Sequence, residues 1–75
     1  MIDYDDHINF VLGLKPGNRF KYSETGMQVG VCEMVENRSR KDWIDVDVKI
    51  LKEQRTVNIY CGPNGAYLGA TFRPL

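Results

Sequence analysis

Apolar and polar residues alternate along most of the chain after residue 18, with turn-forming residues between the runs. In the clearest run, 43–51, four aliphatic residues alternate with aromatic or charged ones. The alternating aliphatic positions are Ile44, Val46, Val48 and Ile50, between them lie Trp43, Asp45, Asp47 and Lys49, and Leu51 ends the run. A period of two is typical of a β-strand with one buried face. Weaker runs of this kind predict four further strands, at 19–24, 28–36, 55–61 and 66–73.

The first residues follow the period of a helix instead. Four apolar residues lie at spacings of three and four: Tyr4, Ile8, Val11 and Leu12. This spacing predicts one apolar stripe on a short helix over 3–12. Asp3 suits the N-cap, and Gly13 followed by Pro16 ends the helix. A helix of this length is not stable alone, so we expect it to pack on the sheet.

The turns between the strands predict how neighbouring strands pair. A two-residue turn at 53–54 would place Val48 opposite Ile59. A four-residue turn at 62–65 would place Ile59 opposite Leu68, so that the last two strands form a hairpin. The inward aliphatic residues then agree across three strands, and a slip of one residue would bury charges.

The pattern does not decide which face of the strand at 28–36 is buried. Its alternation is interrupted by Glu33, and Gly30 indicates a bend or a β-bulge. Two sets of residues compete for the buried face: Val31 with Val35, or Cys32 with Met34.

Together these elements predict a mainly β, single domain over residues 1–75. Five short antiparallel strands over 19–73 follow the helix, and an open sheet would leave two exposed edges, so we expect a small barrel. A chain of 75 residues buries only roughly 60–65% of its unfolded surface. A partner, including a second copy of the chain, would therefore add to its stability.

Residues 14–20, with the sequence LKPGNRF, lead to Gly26 and a Val29-Gly30-Val31 strand. This opening resembles SH3-like small β-barrels of the KOW and Tudor type, in which an L-x-x-G-x-x-apolar segment precedes a hairpin with a G-x-V strand. The resemblance covers roughly residues 14–50. It implies a five-stranded antiparallel SH3-like barrel that binds proteins, peptides or nucleic acids and seldom catalyses, although fold alone does not fix function.

Composition and charge narrow the class of protein. Apolar residues make up 43% and charged residues 27% of the chain, which is typical of a folded soluble domain. The longest apolar stretch is far too short for a membrane span. Ten basic and ten acidic side chains give zero net charge, which argues against bulk electrostatic binding to nucleic acid. Without a signal peptide or a CxxC pair, Cys32 and Cys61 predict free thiols in the cytoplasm.

The residue patterns do not point to catalysis, a cofactor or a metal. His7 is the only histidine, and Asp3 is four residues away, but zinc needs more ligands. We expect His7 to lie at a solvated helix start. Cys61 is predicted to face inward, and a buried thiol is a poor nucleophile. The glycine-rich segment 62–65 lies between two strands, which indicates a hairpin turn rather than a phosphate cradle. We therefore expect no enzyme activity.

Aromatic residues on the outward positions predict a protein-binding face. Tyr60 and Tyr67 would face each other, Asp47 would flank Tyr60, and Trp43 and Met34 would extend the face. Tyrosine and tryptophan are enriched at interface centres. The size of the chain fits a compact regulator or inhibitor of the kind made by phages or plasmids, and a homodimer is one form of partner. In a second interpretation the aromatic pair only stabilises the hairpin, or the helix covers it.

A basic loop and a basic strand favour an alternative function. Three cations lie within the loop 37–41, and two more point outward on the first strand, where Arg73 could lie beside them. The five residues of this alternative are Arg38, Arg40, Lys41, Arg19 and Lys21. Basic side chains beside stacking aromatics bind RNA and single-stranded nucleic acid. Asp45 and Asp47 nearby count against this function.

Overall fold

A computed structural model describes residues 4–25, 27–41, 43–61 and 71–75, without the side chains of 4–6 and 27. One helix and five strands follow in chain order: α1 (Tyr4–Leu12), β1 (Arg19–Glu24), β2 (Met27–Asn37), β3 (Ile44–Ile50), β4 (Arg55–Cys61) and β5 (Thr71–Arg73). The strands form one antiparallel sheet in the order β4-β3-β2-β1-β5. The predicted mainly β class, with five antiparallel strands and a short N-terminal helix, is confirmed. No helix in the described ranges has the length and apolar character that crossing a membrane requires.

The sheet is open within the described residues. Strand β5 pairs with β1, with Lys21 opposite Arg73 and Tyr22 opposite Phe72. No ladder between β4 and β5 is present among the residues described, so the predicted closure is not seen there. The predicted pair of Ile59 with Leu68 involves the segment 62–70, which lies outside the described residues.

The predicted register of the β3–β4 hairpin is wrong by two residues. Val48 lies opposite Val57, and Val46 lies opposite Ile59. A shift by two positions leaves the same face of each strand buried, because side chains alternate between the faces with a period of two. The alternation of β3 therefore holds as predicted, with all four aliphatic positions buried and the intervening side chains partly exposed.

The hairpin loop explains this shift. It spans four residues, 51–54, rather than the predicted two. Two-residue hairpin turns of the favoured type need positive φ at both central residues, and Gln54 is the only non-glycine residue with a positive φ (54°) in the described chain. The longer loop is held by the Gln54 side-chain amide, which donates to the carbonyl of Leu51 at 2.7 Å.

Strand β2 contains a bulge near Gly30, as predicted. Tyr22 lies opposite Gly30 while Ser23 lies opposite Gln28, so Val29 is the additional residue. Gly30 has a φ of 106°, a conformation that glycine adopts at little cost.

A second bulge in β2 settles which face is buried. Met34 lies opposite Val48 and Glu36 opposite Asp47, which leaves Val35 as the additional residue, 44% exposed. Cys32 and Met34 point into the core. The prediction that Met34 contributes to a partner-binding face is wrong, because Met34 is 1% exposed on the opposite side of the sheet.

The core covers the inner face of the sheet, with Phe72 among its fully buried side chains. The ring of Phe72 lies 5.0 Å from that of Tyr22 and 5.4 Å from that of Phe20, measured between centroids. The buried apolar set is Ile8, Val11, Leu14, Phe20, Tyr22, Cys32, Met34, Ile44, Val46, Val48, Ile50, Ile59, Cys61 and Phe72. Burial of alternate residues on four strands excludes registers that differ by one residue.

Helix α1 packs against β5 with a stripe that differs from the predicted one. Ile8 and Val11 are buried as predicted, whereas Leu12 is 38% exposed. His7, predicted to be solvated, is 7% exposed. The side chain of Tyr4 lies outside the described set.

The carboxyl end of α1 is joined to β2 by one side chain. The amide nitrogen of Asn37 donates to the carbonyl of Val11 at 2.7 Å and to that of Leu14 at 2.9 Å. The Val11 carbonyl also accepts from the backbone N–H of Leu14 at 3.1 Å. Asn37 therefore adds a donor at the end of α1 and one just beyond it, which ties the helix end to β2.

Candidate functional site

The outer face of β3 and β4 carries the candidate site. Asp45 lies opposite Tyr60, and Asp47 opposite Asn58. The prediction that Asp47 flanks Tyr60 directly is therefore wrong, for the same reason that the hairpin register differs. Tyr60 is 60% exposed. Tyr67, its predicted neighbour, lies outside the described residues.

A polar cluster adjoins Tyr60 on this face. One guanidinium nitrogen of Arg38 (Nη2) lies 3.3 Å from Asp45 Oδ1 and 3.0 Å from Asp47 Oδ1. The other (Nη1) lies 2.6 Å from Glu36 Oε2 and 3.2 Å from Asp47 Oδ2. Asn58 completes the cluster by donating to Asp45 Oδ1 at 3.0 Å and Asp47 Oδ1 at 2.9 Å. We call these five residues the Arg38 network.

The contacts of the Arg38 network shift the pKa of three of its members, Asp45, Asp47 and Arg38. Hydrogen bonds from Arg38, and then from Asn58, lower the pKa of Asp45 and of Asp47 below the ordinary carboxyl value. The same contacts, with Asp47 first, raise the pKa of Arg38. One guanidinium thus faces three carboxylates, so the network as a whole is negative near neutral pH. Arg38 is neutralised within the protein.

Trp43 lies at the margin of this surface. The guanidinium carbon of Arg40 lies 4.9 Å from the centroid of the Trp43 ring, within the range of a cation–π contact. Arg40 and Trp43 also exchange backbone hydrogen bonds of 2.9 and 3.1 Å. The indole Nε1 of Trp43 is buried without an acceptor among the described residues. Trp43 is half-buried, so it can contribute only part of its ring to a partner.

The basic residues of the alternative function are mostly engaged. Arg38 belongs to the network, Arg40 lies over Trp43, and Arg19 pairs with Glu33 at 3.3 Å. Lys41 and Lys21 are exposed and have no ion pair within the described ranges. Arg73 lies beside Lys21, as predicted for a closed barrel, although here it does so through the pairing of β5 with β1.

Asn58 is a site residue that the sequence pattern did not single out. The alternation of β4 places it on the outward face, two residues before Tyr60, which was the available signal. Its role depends on the hairpin register, because only the observed register places Asn58 opposite Asp47.

The described chain offers no arranged metal site and no exposed thiol. No group of three or more His, Cys, Asp or Glu side chains converges in the ranges that the structure covers. Cys32 and Cys61 are buried and free. Burial raises the pKa of Cys32 to about 11 and also raises that of Cys61.

Comparisons with protein-family models, with curated proteins and with solved structures found no match to this chain.

Proposed function

We propose that the protein is a non-enzymatic binding module that contacts a protein partner through the outer face of β3 and β4. Tyr60 and the Arg38 network form this surface, which we call the β3–β4 face. The observation that carries the proposal is the exposure of Tyr60, 60%, directly opposite Asp45 of the network. Tyrosine offers a large apolar ring and a polar hydroxyl group, and it is enriched in interface centres.

The polar groups beside Tyr60 are held in place before any partner arrives. Asp45 and Asp47 each accept hydrogen bonds from both Arg38 and Asn58. Ordering flexible side chains costs free energy on binding, and a preorganised surface avoids much of that cost. The β3–β4 face therefore combines an aromatic anchor with fixed acceptors.

Charge indicates the kind of partner. Because the Arg38 network is negative near neutral pH, it complements a basic or hydrogen-bond-donating patch. Nucleic acid, the alternative partner, would meet these carboxylates rather than a free cation at Arg38. The engagement of Arg19, Arg38 and Arg40 inside the protein favours the protein partner over the nucleic acid.

The finer relationship to SH3-like barrels of the KOW and Tudor type stays part of this proposal. The five antiparallel strands and the bulged second strand support it. We also place the protein in the cytoplasm as a small regulator, which the two free, buried cysteines support.

A capture experiment with matched variants tests the proposal. Tagged wild-type protein, Tyr60→Ala and Thr56→Ala would be used to capture partners from extracts of the source cells, with quantitative mass spectrometry. Thr56 is the control because it lies exposed on the same strand, four residues before Tyr60. We expect a protein that the wild type and Thr56→Ala retain and that Tyr60→Ala loses, while circular dichroism shows all three folded.

Two further measurements distinguish a protein partner from a second copy of the chain and from nucleic acid. Light scattering of the purified chain reports self-association, and a dimer disrupted by Tyr60→Ala would identify a second copy as the partner. Capture that survives in Tyr60→Ala would contradict the proposal. Capture that disappears after nuclease treatment would replace it with the nucleic-acid function.

A further inference from the structure

Two cations lie directly opposite each other at the other edge of the sheet. Lys21 of β1 pairs with Arg73 of β5, and both side chains are exposed on the outer face. On the inner face the next pair is Tyr22 with Phe72, whose rings lie 5.0 Å apart in the core. The buried aromatic pair fixes the register, and a slip of one residue would bury Arg73. The core therefore forces the two charges together.

This arrangement is unfavourable unless an anion is present. Like charges directly opposite each other in an antiparallel pair are destabilising. Neither Lys21 nor Arg73 has a carboxylate partner among the residues described. The other four arginines are engaged: Arg19, Arg38 and Arg55 with carboxylates, and Arg40 with the Trp43 ring. Arg73 is thus the one arginine in the described chain with neither an acidic nor an aromatic partner.

The two cations line a groove of about 280 Å³ together with Ser23, Gln28 and Gly30. Ser23, two residues after Lys21 on the same face of β1, lies opposite Gln28. A hydroxyl and an amide group therefore border the charged pair. Gly30, next to the bulged residue Val29, leaves this side of the groove open. It has no side chain, and no atom lies within 4 Å of the position that a Cβ would occupy.

We propose that this groove binds a phosphate group. A phosphate dianion neutralises both Lys21 and Arg73, whereas a single carboxylate would leave one positive charge uncompensated. The guanidinium of Arg73 offers paired donors that match two phosphate oxygens, and Lys21 adds a compact charge. Ser23 and Gln28 supply further donors. The phosphate is either free in solution or supplied by a polynucleotide, in which each backbone phosphodiester carries one charge and two neighbouring diesters would match the two cations.

The groove is independent of the β3–β4 face. It lies on β1, β2 and β5, whereas Tyr60 lies on β4 at the opposite edge of the sheet. The failure of one proposal therefore leaves the other intact.

Titration of the full chain with inorganic phosphate tests this proposal. Amide chemical shifts and the melting temperature would be followed in phosphate and in sodium chloride of equal ionic strength. We expect saturable shifts at Lys21, Ser23, Gln28 and Arg73, and a rise in melting temperature with phosphate only. Lys21→Gln and Arg73→Gln should each weaken binding by about tenfold or more, since each removes a charge-assisted hydrogen bond.

Stability in the absence of phosphate distinguishes a ligand site from a structural role. Lys21→Glu would place a carboxylate opposite Arg73, so it should melt at or above the wild-type temperature in chloride and no longer respond to phosphate. Lys52→Gln, an exposed lysine of the 51–54 loop, is the matched control and should bind phosphate like the wild type.

The remaining arms identify the source of the phosphate or overturn the proposal. A single-stranded oligonucleotide that competes with inorganic phosphate, and that binds more weakly as salt increases, would identify a polynucleotide. Lack of competition, with saturable phosphate binding, would identify free phosphate. Shifts equal to those in chloride, or shifts retained by both Gln variants, would overturn the site.

Discussion

The imidazole Nε2 of His7 accepts a hydrogen bond from the backbone N–H of Phe72 at 2.8 Å, across 65 positions of sequence. The two rings also pack together, with 5.8 Å between their centroids. An accepting Nε2 requires the neutral imidazole with its proton on Nδ1. His7 of α1 thus supplies the acceptor for one backbone N–H group of β5. The pairing of this strand with β1 places Arg73 beside Lys21.

We expect the free energy of unfolding to fall as the pH is lowered below about 6.5. Burial lowers the pKa of His7 below 6.5, so the unfolded chain takes up this proton first. The stability that neutral His7 contributes is complete above pH 6.5 and is lost as the pH falls from there toward the folded-state pKa. Urea denaturation between pH 5 and 7.5 would measure the loss.

The matched variant for this effect is His7→Gln. It removes the titrating group, so its stability should vary less than that of the wild type over the same pH range. At pH 7.5 it should be less stable by about 1–3 kcal/mol, as expected for an imperfectly satisfied buried N–H group. An unchanged pH dependence in His7→Gln would show that another group is responsible.

Asn37→Ala should destabilise the protein by about 1–3 kcal/mol, because it leaves the carbonyls of Val11 and Leu14 without their side-chain donor. Asn9→Ala, at an exposed position of α1, should not lower the stability, because alanine is the better helix former. Chemical denaturation of both variants gives the comparison. Equal losses would mean that Asn37 does not hold the helix end.

Arg38→Met should raise the pKa of Asp45 and of Asp47, since Arg38 is the first cause of their depression. Carboxyl chemical shifts followed from pH 2 to 6 would report both values. With Arg38 present, the depressed values stabilise the fold above the ordinary carboxyl pKa, and this contribution is lost as the pH falls through them. The variant should therefore be less sensitive to acid in this range.

Arg55→Met is the control for this titration. Arg55 pairs with Glu53 at 3.0 Å, away from the Arg38 network. It should leave the pKa of Asp45 and of Asp47 as in the wild type. A shift of similar size in both variants would indicate a general loss of positive charge rather than the specific contacts of Arg38.

Cys32 and Cys61 should react slowly with an aromatic disulfide reagent at pH 8 while the protein is folded. Both thiols are buried, and burial raises the pKa of Cys32 to about 11, so little of the reactive thiolate is present. In denaturant both should react at the rate of a free cysteine. Absorbance measurements give the number of reactive thiols in each state, and rapid labelling of the folded chain would contradict the burial.

The local pattern predicted the elements better than their pairing. The strict alternation of β3 and the turn residues before β1 are encoded within a few positions, so both strands are recognisable from sequence. The hairpin register depends on how residues 51–54 close, and two registers differing by two residues bury the same set of side chains. Pattern alone does not separate them.

The candidate site was predictable to the extent that it depends on alternation. Tyr60 and Asp47 point outward because the residues on either side of each are apolar and face the core. The role of Arg38 was not predictable, since the residues of the loop 37–41 are the same whether Arg38 faces solvent or pairs with carboxylates of the same chain. His7 was predicted to be solvated because the acidic residues before it suggested an exposed helix start, whereas its actual partner is a backbone group 65 residues away.

The bulge at Val35 would allow β2 to lose one residue without changing which side chains are buried. Val35 has no partner position in β3, since Met34 and Glu36 pair with the consecutive residues Val48 and Asp47. Removing Val35 would restore a continuous ladder without turning any other side chain to the wrong face. In a regular strand, deleting one residue moves every following side chain to the opposite face of the sheet. Deleting Val35 would not do so, and homologues lacking this residue would keep the same inner and outer surfaces.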